Sequence, residues 1–296
     1  MAAPGGADTR VLAFKICALL GFLGVRCLEG DRMKDPERRF LADVGMRDLP
    51  FPIRALSRGA ADGQPTIAEI SISARISREF ESRWIDTFIH IVHQHRERIG
   101  TATLMENIAD YAEGLHASAV SITFDFPFFY EKLTPVSKEK SLVRYLCAYT
   151  VRTNPAGSPR ARLRVNVPVL TTYPASRPGD NGELFGQMTT ITLEVEPRKD
   201  VFPEDLIDLV DRNALAPVYS FLTEEDQMYL MQKVHAEYRP SVVVLDDIRD
   251  DLARDRNVTW YSVVGANHGM LHAYSTVVGT EKSMWVPFSD YADHHV

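Results

Sequence analysis

The stretch that most constrains this chain is 66–76, TIAEISISARI, in which apolar and polar residues alternate. Alternation at period two sorts side chains onto two faces only in an extended strand, so the stretch reads as half-buried in a sheet. Ser77 then offers an N-cap. From 78 to 98 the period becomes helical, with Phe80, Trp84, Ile85, Phe88, Ile91 and Val92 on one face. Gly100 ends that helix, and Thr103 with Glu106 has the spacing of a capping box opening a second helix to Leu115. Strand patterns follow at 119–130 and 141–153. The turn-rich NPAGSPR at 154–160 makes a seam, after which the order starts again. Strands at 161–173 and 188–197 precede helical segments at 202–222, 223–238 and 241–255, and 258–279 supplies two closing strands.

Two successive strand–strand–helix–helix–strand–strand units imply an α+β fold, with antiparallel sheets and helices on one face. Such sheets leave open edges, which closure into a barrel through oligomerisation would hide. The boundaries expected are 1–33 as an N-terminal extension, 34–158 as a first module and 159–296 as a second. A content of 45% hydrophobic and 25% charged residues suits a globular core, and a net charge of −7 argues against a nucleic-acid partner. Cys17, Cys27 and Cys147 form no paired framework, which fits a reducing, cytoplasmic location. The apolar run at 16–25 is too short to span a bilayer and no small-residue cleavage site follows it. Met33 is therefore read as the true first residue, with a signal peptide as the alternative.

Several phrases carry a likeness to a known family. VGMRDLPFPI at 44–53, ESRWIDTFIHIVHQH at 81–95, FPFFYEKLTPVS at 126–137, APVYSFLTEED at 216–226 and LHAYS at 271–275 follow in order. In that order and spacing the chain, from Val44 to about Val278, resembles the type IB GTP cyclohydrolases. The resemblance implies tandem tunnelling-fold (T-fold) modules, assembled into a homotetramer or dimer with active sites at subunit interfaces. In the family a bound Zn²⁺ or Mn²⁺ activates water, the hydroxide attacks the imidazole carbon of GTP, formate leaves, and the ring recloses to dihydroneopterin triphosphate. A metal serves there because coordination lowers the pKa of water to about 7.

At 171–187 this chain reads TTYPASRPGDNGELFGQ, where the family carries Leu-Cys-Pro-Cys-Ser-Lys and then His-Asn-Gln-Arg. By that resemblance the metal-binding thiolate falls on Tyr173 and the metal-binding histidine on Phe185. Ser176 and Gln187 are kept, and the lysine becomes Arg177. A further metal-linked glutamate falls on Gln227. Phenylalanine ligates no metal, and neutral tyrosine and glutamine are poor substitutes for thiolate and carboxylate. A Zn or Mn site would need rewiring through His268, His272 and Glu224 or Glu225. Asp246 matches the family's purine-anchoring glutamate, with Asp247 as fallback. The opposing reading makes Asp246, Asp247, Asp250 and Asp251 a solvated acidic helix face.

Lys132 matches a retained lysine and, with Lys138, Lys140 and Arg177, offers point charges to phosphate. Lys138 and Lys140 also read simply as a lysine-rich surface loop. His90, His93 and His95 read as solvated or core-edge side chains, and Cys147 as a small buried hydrophobe. The function expected is a cyclohydrolase-like enzyme with a diverged, metal-independent site for a purine, pterin or other planar heterocycle. Tyr173, Arg177, His268 and His272 are its expected catalytic groups; Asp246, Gln187, Ser176 and Lys132 bind substrate. A genuine GTP cyclohydrolase with a rewired metal site, and a non-catalytic ligand-binding or partner subunit, are the alternatives. No other cofactor and no membrane partner is expected.

Overall fold

In this computed structural model, strands β1 (Leu41–Ala55), β2 (Gln64–Ser77), β3 (Ala117–Leu133), β4 (Lys140–Asn154), β5 (Gly157–Thr172) and β6 (Gly186–Pro197) pair in chain order. The two-residue β7 (Ala216–Pro217) joins β5, while β8 (Val258–His268) and then β9 (Ser275–Glu281) extend the sheet beyond β6. Every pairing is antiparallel. The residues described are 41–77, 82–154, 157–176, 184–269 and 273–282. The expectations for the N-terminal extension, Arg177 and His272 lie outside them.

The helices are α1 (Trp84–His95), α2 (Thr101–Gly114), α3 (Pro203–Asn213), α4 (Glu224–Ala236) and α5 (Ser241–Arg254). β3 shows why they share one face: alternation buries Val120, Ile122, Phe124, Phe126 and Phe128 on a single side. In the same core, α1, packed on α2, buries Trp84, Phe88, Ile91 and Val92, and α3, packed on β5, buries Leu206, Ile207, Leu209 and Val210. α2 packs on β3, β4 and β5, and α5 packs on β8 and β9. Each large apolar side chain removed from water in this layer contributes about 1.5–3 kcal/mol. β4 and β5 pair across the 154–157 turn, so one continuous sheet spans the seam.

Several boundaries differ from the sequence pattern. α1, expected over 78–98 with Ser77 as N-cap, runs Trp84–His95 with Arg83 at its N-cap, and Ser77 ends β2. The helical segment expected at 202–222 ends at Asn213, because Ala214 is extended, the Leu215 amide donates to Leu170 O at 3.2 Å, and Pro217 has no N–H to continue a helix. α2 begins at Thr101 rather than at Thr103. Thr103 sits in its first turn and receives the Gly100 amide (3.0 Å), while Asp200 accepts the Ala102 amide (2.8 Å) from a distant loop. The cap is tertiary, which local spacing cannot show. β1 alternates, with Ala42, Val44 and Met46 and then Leu49, Phe51 and Ile53 turned to the core, but a bulge between Met46 and Leu49 shifts the phase and Pro50 and Pro52 mask the strand; pairing with β2 settles it.

Candidate active site

The end of β5 is held by a set of local and distant bonds. Thr172 donates its amide to Arg239 O (2.9 Å) and its hydroxyl to Glu237 O (3.1 Å), and accepts the Arg239 amide (2.7 Å). The Arg239 guanidinium reaches Asn213 O at 2.6 Å and Asp247 Oδ2 at 2.7 Å, so Asp247 orients the clamp between the end of β5 and the α3 terminus. Tyr173 follows. Its amide donates to Phe185 O (2.7 Å), its carbonyl accepts the Ser176 amide (2.9 Å), and Ser176 Oγ accepts the Phe185 amide (3.1 Å). Ser176, buried, is thus a staple between the two stems flanking 177–183. Gly186 lies so close to α4 that an added Cβ would sit 2.5 Å from Val234 Cγ1.

Across β6 and β8 the same end carries His268, exposed on the open face. Its ring nitrogens lie 3.4 Å from Thr190 Oγ1 and 3.1 Å from Ser275 Oγ. A methyl group at Gly269 would lie 3.6 Å from Tyr173 Cε2, which places the phenol ring beside the residue following His268. Tyr173, Gln187 and His268 therefore belong to one corner of the sheet. Gln187 is buried there, its Nε2 donating to Thr171 Oγ1 at 3.3 Å. The open face continues into a trough of about 830 Å³ that includes His268, Thr190, Arg144 and Trp260. Farther along it, Arg162 stacks over the Trp260 ring at 3.9 Å and pairs with Glu194.

The other expected binding residues lie elsewhere. Lys132 is buried under α3, ion-paired with Asp211 and 5.0 Å from the Tyr145 ring centroid. Burial pushes its ammonium pKa down while Asp211 pulls it up; burial pushes Asp211 up while Lys132 pulls it down. That placement gives the ammonium a carboxylate partner where phosphate was expected. Asp246 faces outward and pairs with Arg249 at 2.7 Å, as Asp250 does at 3.0 Å, in keeping with a solvated acidic helix face. Lys140 pairs with Glu131 in the open, and Lys138 donates to Pro135 O. His95 meets Asp110 at 2.9 Å, and Cys147 is buried, which pushes its thiol pKa up.

Two groups escaped the sequence reading. Asp226, fully buried, accepts the Val136 and Ser137 amides (2.8 and 3.0 Å), Ser137 Oγ (2.6 Å) and Thr223 Oγ1 (2.7 Å). Burial opposes its charge, yet these donors hold the carboxyl well below the usual carboxylate range. Thr223-x-x-Asp226 is a capping-box spacing that was there to be read. The second is a buried row of Thr171, Thr189 and Asn267, for which alternation suggests only core positions.

A family model described as type I GTP cyclohydrolase folE2 matches residues 31–278. The chain belongs to that family. GTP cyclohydrolase FolE2 of Citrifermentans bemidjiense is 28% identical over 246 residues, covering 82% of this chain and 90% of that protein. The FolE2 of Thermotoga maritima is 28% identical over 254 residues, covering 86% and 96%. A solved uricase from Bacillus fastidious superposes with a TM-score of 0.50 at 10% identity, over 81% of this chain and 93% of that one, a likeness of fold alone.

At the positions that the resemblance assigns to metal ligands, the described side chains of this folE2-family chain are poor Zn²⁺ or Mn²⁺ donors. Phe185 puts an exposed apolar ring at one ligand position, and Gln227 Nε2 donates to Leu222 O at 3.3 Å. Each nitrogen of His268 meets a hydroxyl. Among the described residues no three His, Cys, Asp or Glu side chains gather to hold an ion.

Proposed function

We propose that this folE2-family chain is an enzyme acting on GTP or a related planar purine or pterin, at a diverged, metal-independent centre. The observation that carries this reading is the corner itself, where Tyr173 and His268 lie on a family scaffold kept over residues 31–278. A neutral imidazole accepts the proton of an attacking water, and a phenol donates to a ring nitrogen as negative charge develops. Arg177 and His272 are proposed as further catalytic groups; Gln187, buried behind the sheet on Thr171, and Ser176, stapling the loop stems, support the corner from behind. Lys132 and Asp246 are not assigned to substrate, because each is engaged by Asp211 or Arg249.

The names of the relatives favour a second reading, a genuine GTP cyclohydrolase with a rewired metal site. Two T-fold modules at 34–158 and 159–296, a homo-oligomer that closes the sheet, and a cytoplasmic location belong to the proposal. In its support, β1 and β9 are the outermost strands of the sheet among the described residues. Among the described residues no helix is long and apolar enough to cross a membrane.

The test is metal analysis of the full-length protein followed by incubation with GTP and a panel of purines and pterins, with and without Mn²⁺ or Zn²⁺. Metal-free turnover that Tyr173→Phe and His268→Gln abolish is the result expected. A fluorescent pterin formed only with stoichiometric metal would establish the second reading instead. Tight ligand binding without turnover would establish a binding subunit.

A further inference from the structure

Strands β6, β8 and β9 carry two polar rows back to back. On the open face His268 lies between the hydroxyls of Thr190 and Ser275. On the helix-covered face, Thr189 is paired in register with Asn267, and Asn267 with Thr276. Thr189 Oγ1 donates to Asn267 Oδ1 at 2.8 Å, and Asn267 Nδ2 donates to Thr276 Oγ1 at 3.3 Å. Thr189 also shares a 2.7 Å bond with Thr171 of β5, whose hydroxyl receives Gln187 Nε2. The row therefore links four strands through their side chains.

Valines at these positions would extend the core without the desolvation cost of buried amides and hydroxyls. What the polar row adds is direction: its bonds form in one register and one strand spacing. That matters at this place in the sheet. Both the β6–β8 and β8–β9 pairings end at His268, and among the described residues β9 is the outermost strand of the sheet. Backbone pairing is weakest at such ends, where local opening costs least. A side-chain bond one residue in from the end holds the three strands together under the imidazole.

We infer that the Thr189–Asn267–Thr276 row positions His268, with Asn267 as its central positioning residue. It keeps the imidazole between Thr190 and Ser275 and leaves the ring on the wall of the trough. The consequence for turnover rests on the function proposed above; the positioning itself does not.

The experiment labels the full-length protein with ¹⁵N-histidine, assigns His268 by its loss in His268→Gln, and reads the ring-nitrogen shifts. The wild type is expected to show ring-nitrogen shifts displaced from those of a free, solvated imidazole by the Thr190 and Ser275 hydroxyls. Asn267→Val removes both bonds while leaving Thr189 paired with Thr171, and Thr276→Val removes only the link to β9. Both are expected to move the His268 ring shifts towards those of a solvated imidazole and to lower kcat about tenfold with little change in KM; Asn267→Asp, which keeps the acceptor for Thr189, recovers part of each. Thr276 is exposed, so Thr276→Val decides the matter should Asn267→Val not fold. Ring shifts identical to wild type in a folded variant would overturn the inference. A wild type inactive on every purine and pterin would instead sink the proposed function and leave the ring-nitrogen result standing.

Discussion

At the scale of single residues, two buried carboxylates show how differently the same group is held. Asp211 faces the Lys132 ammonium under α3, with little else to satisfy either. Removing one partner strands the other, so Asp211→Ala is expected to cost about 3–5 kcal/mol in urea denaturation. Lys132→Met combined with Asp211→Leu should be neutral or stabilising by about 1–4 kcal/mol, since an apolar pair escapes the desolvation penalty. Asp226 is the opposite case, because hydroxyls and amides favour its charged form. Its folded pKa lies below the unfolded value of about 3.9, so its contribution is present above that pH and is lost as pH falls through the lower folded value. Asp226→Asn should flatten the acid limb of a stability-versus-pH curve; an unchanged limb would contradict this assignment.

At the scale of elements, fit between neighbours decides more than propensity does. α4 approaches the start of β6 closely enough that Gly186 has no room for a side chain. Val234 is β-branched and stiff about χ1 in a helix, so it yields poorly. Gly186→Ala should destabilise by about 1–3 kcal/mol, and adding Val234→Ala should recover most of it in thermal melts. The α2 start makes the same point through polar groups. Asp200→Ala removes the acceptor of the Ala102 amide and should cost about 1 kcal/mol, the usual loss on deleting a cap.

At the scale of the whole molecule, β1 and β9 are the outermost strands among the described residues, and α4 buries little besides Asp226 and Leu230. Met228, Tyr229 and Met231 stand exposed along α4, with Phe221 close by in sequence. Apolar side chains gathered in this way mark an association surface. The full-length protein is expected to sediment as a homo-oligomer, and Met228→Glu with Met231→Glu to shift it towards smaller species at equal concentration. A monomeric wild type would remove this expectation and leave the fold untouched.

The sequence by itself determined the element order, the one-sided helices and the family, because period-two and period-3.6 patterns record which faces meet a core. It also singled out Tyr173 and Gln187 through the likeness at 171–187 and His268 as a candidate further on; the structure brings the three positions to one end of the sheet. It could not place Lys132 or Asp246, since a charged side chain looks alike in sequence whether it meets a ligand, solvent or a buried partner. Only the tertiary structure decided that Asp211 holds the one and Arg249 the other. The same holds for the Thr189–Asn267–Thr276 row: its members are dozens of residues apart or separated by a loop, and only strand register brings their hydrogen bonds together.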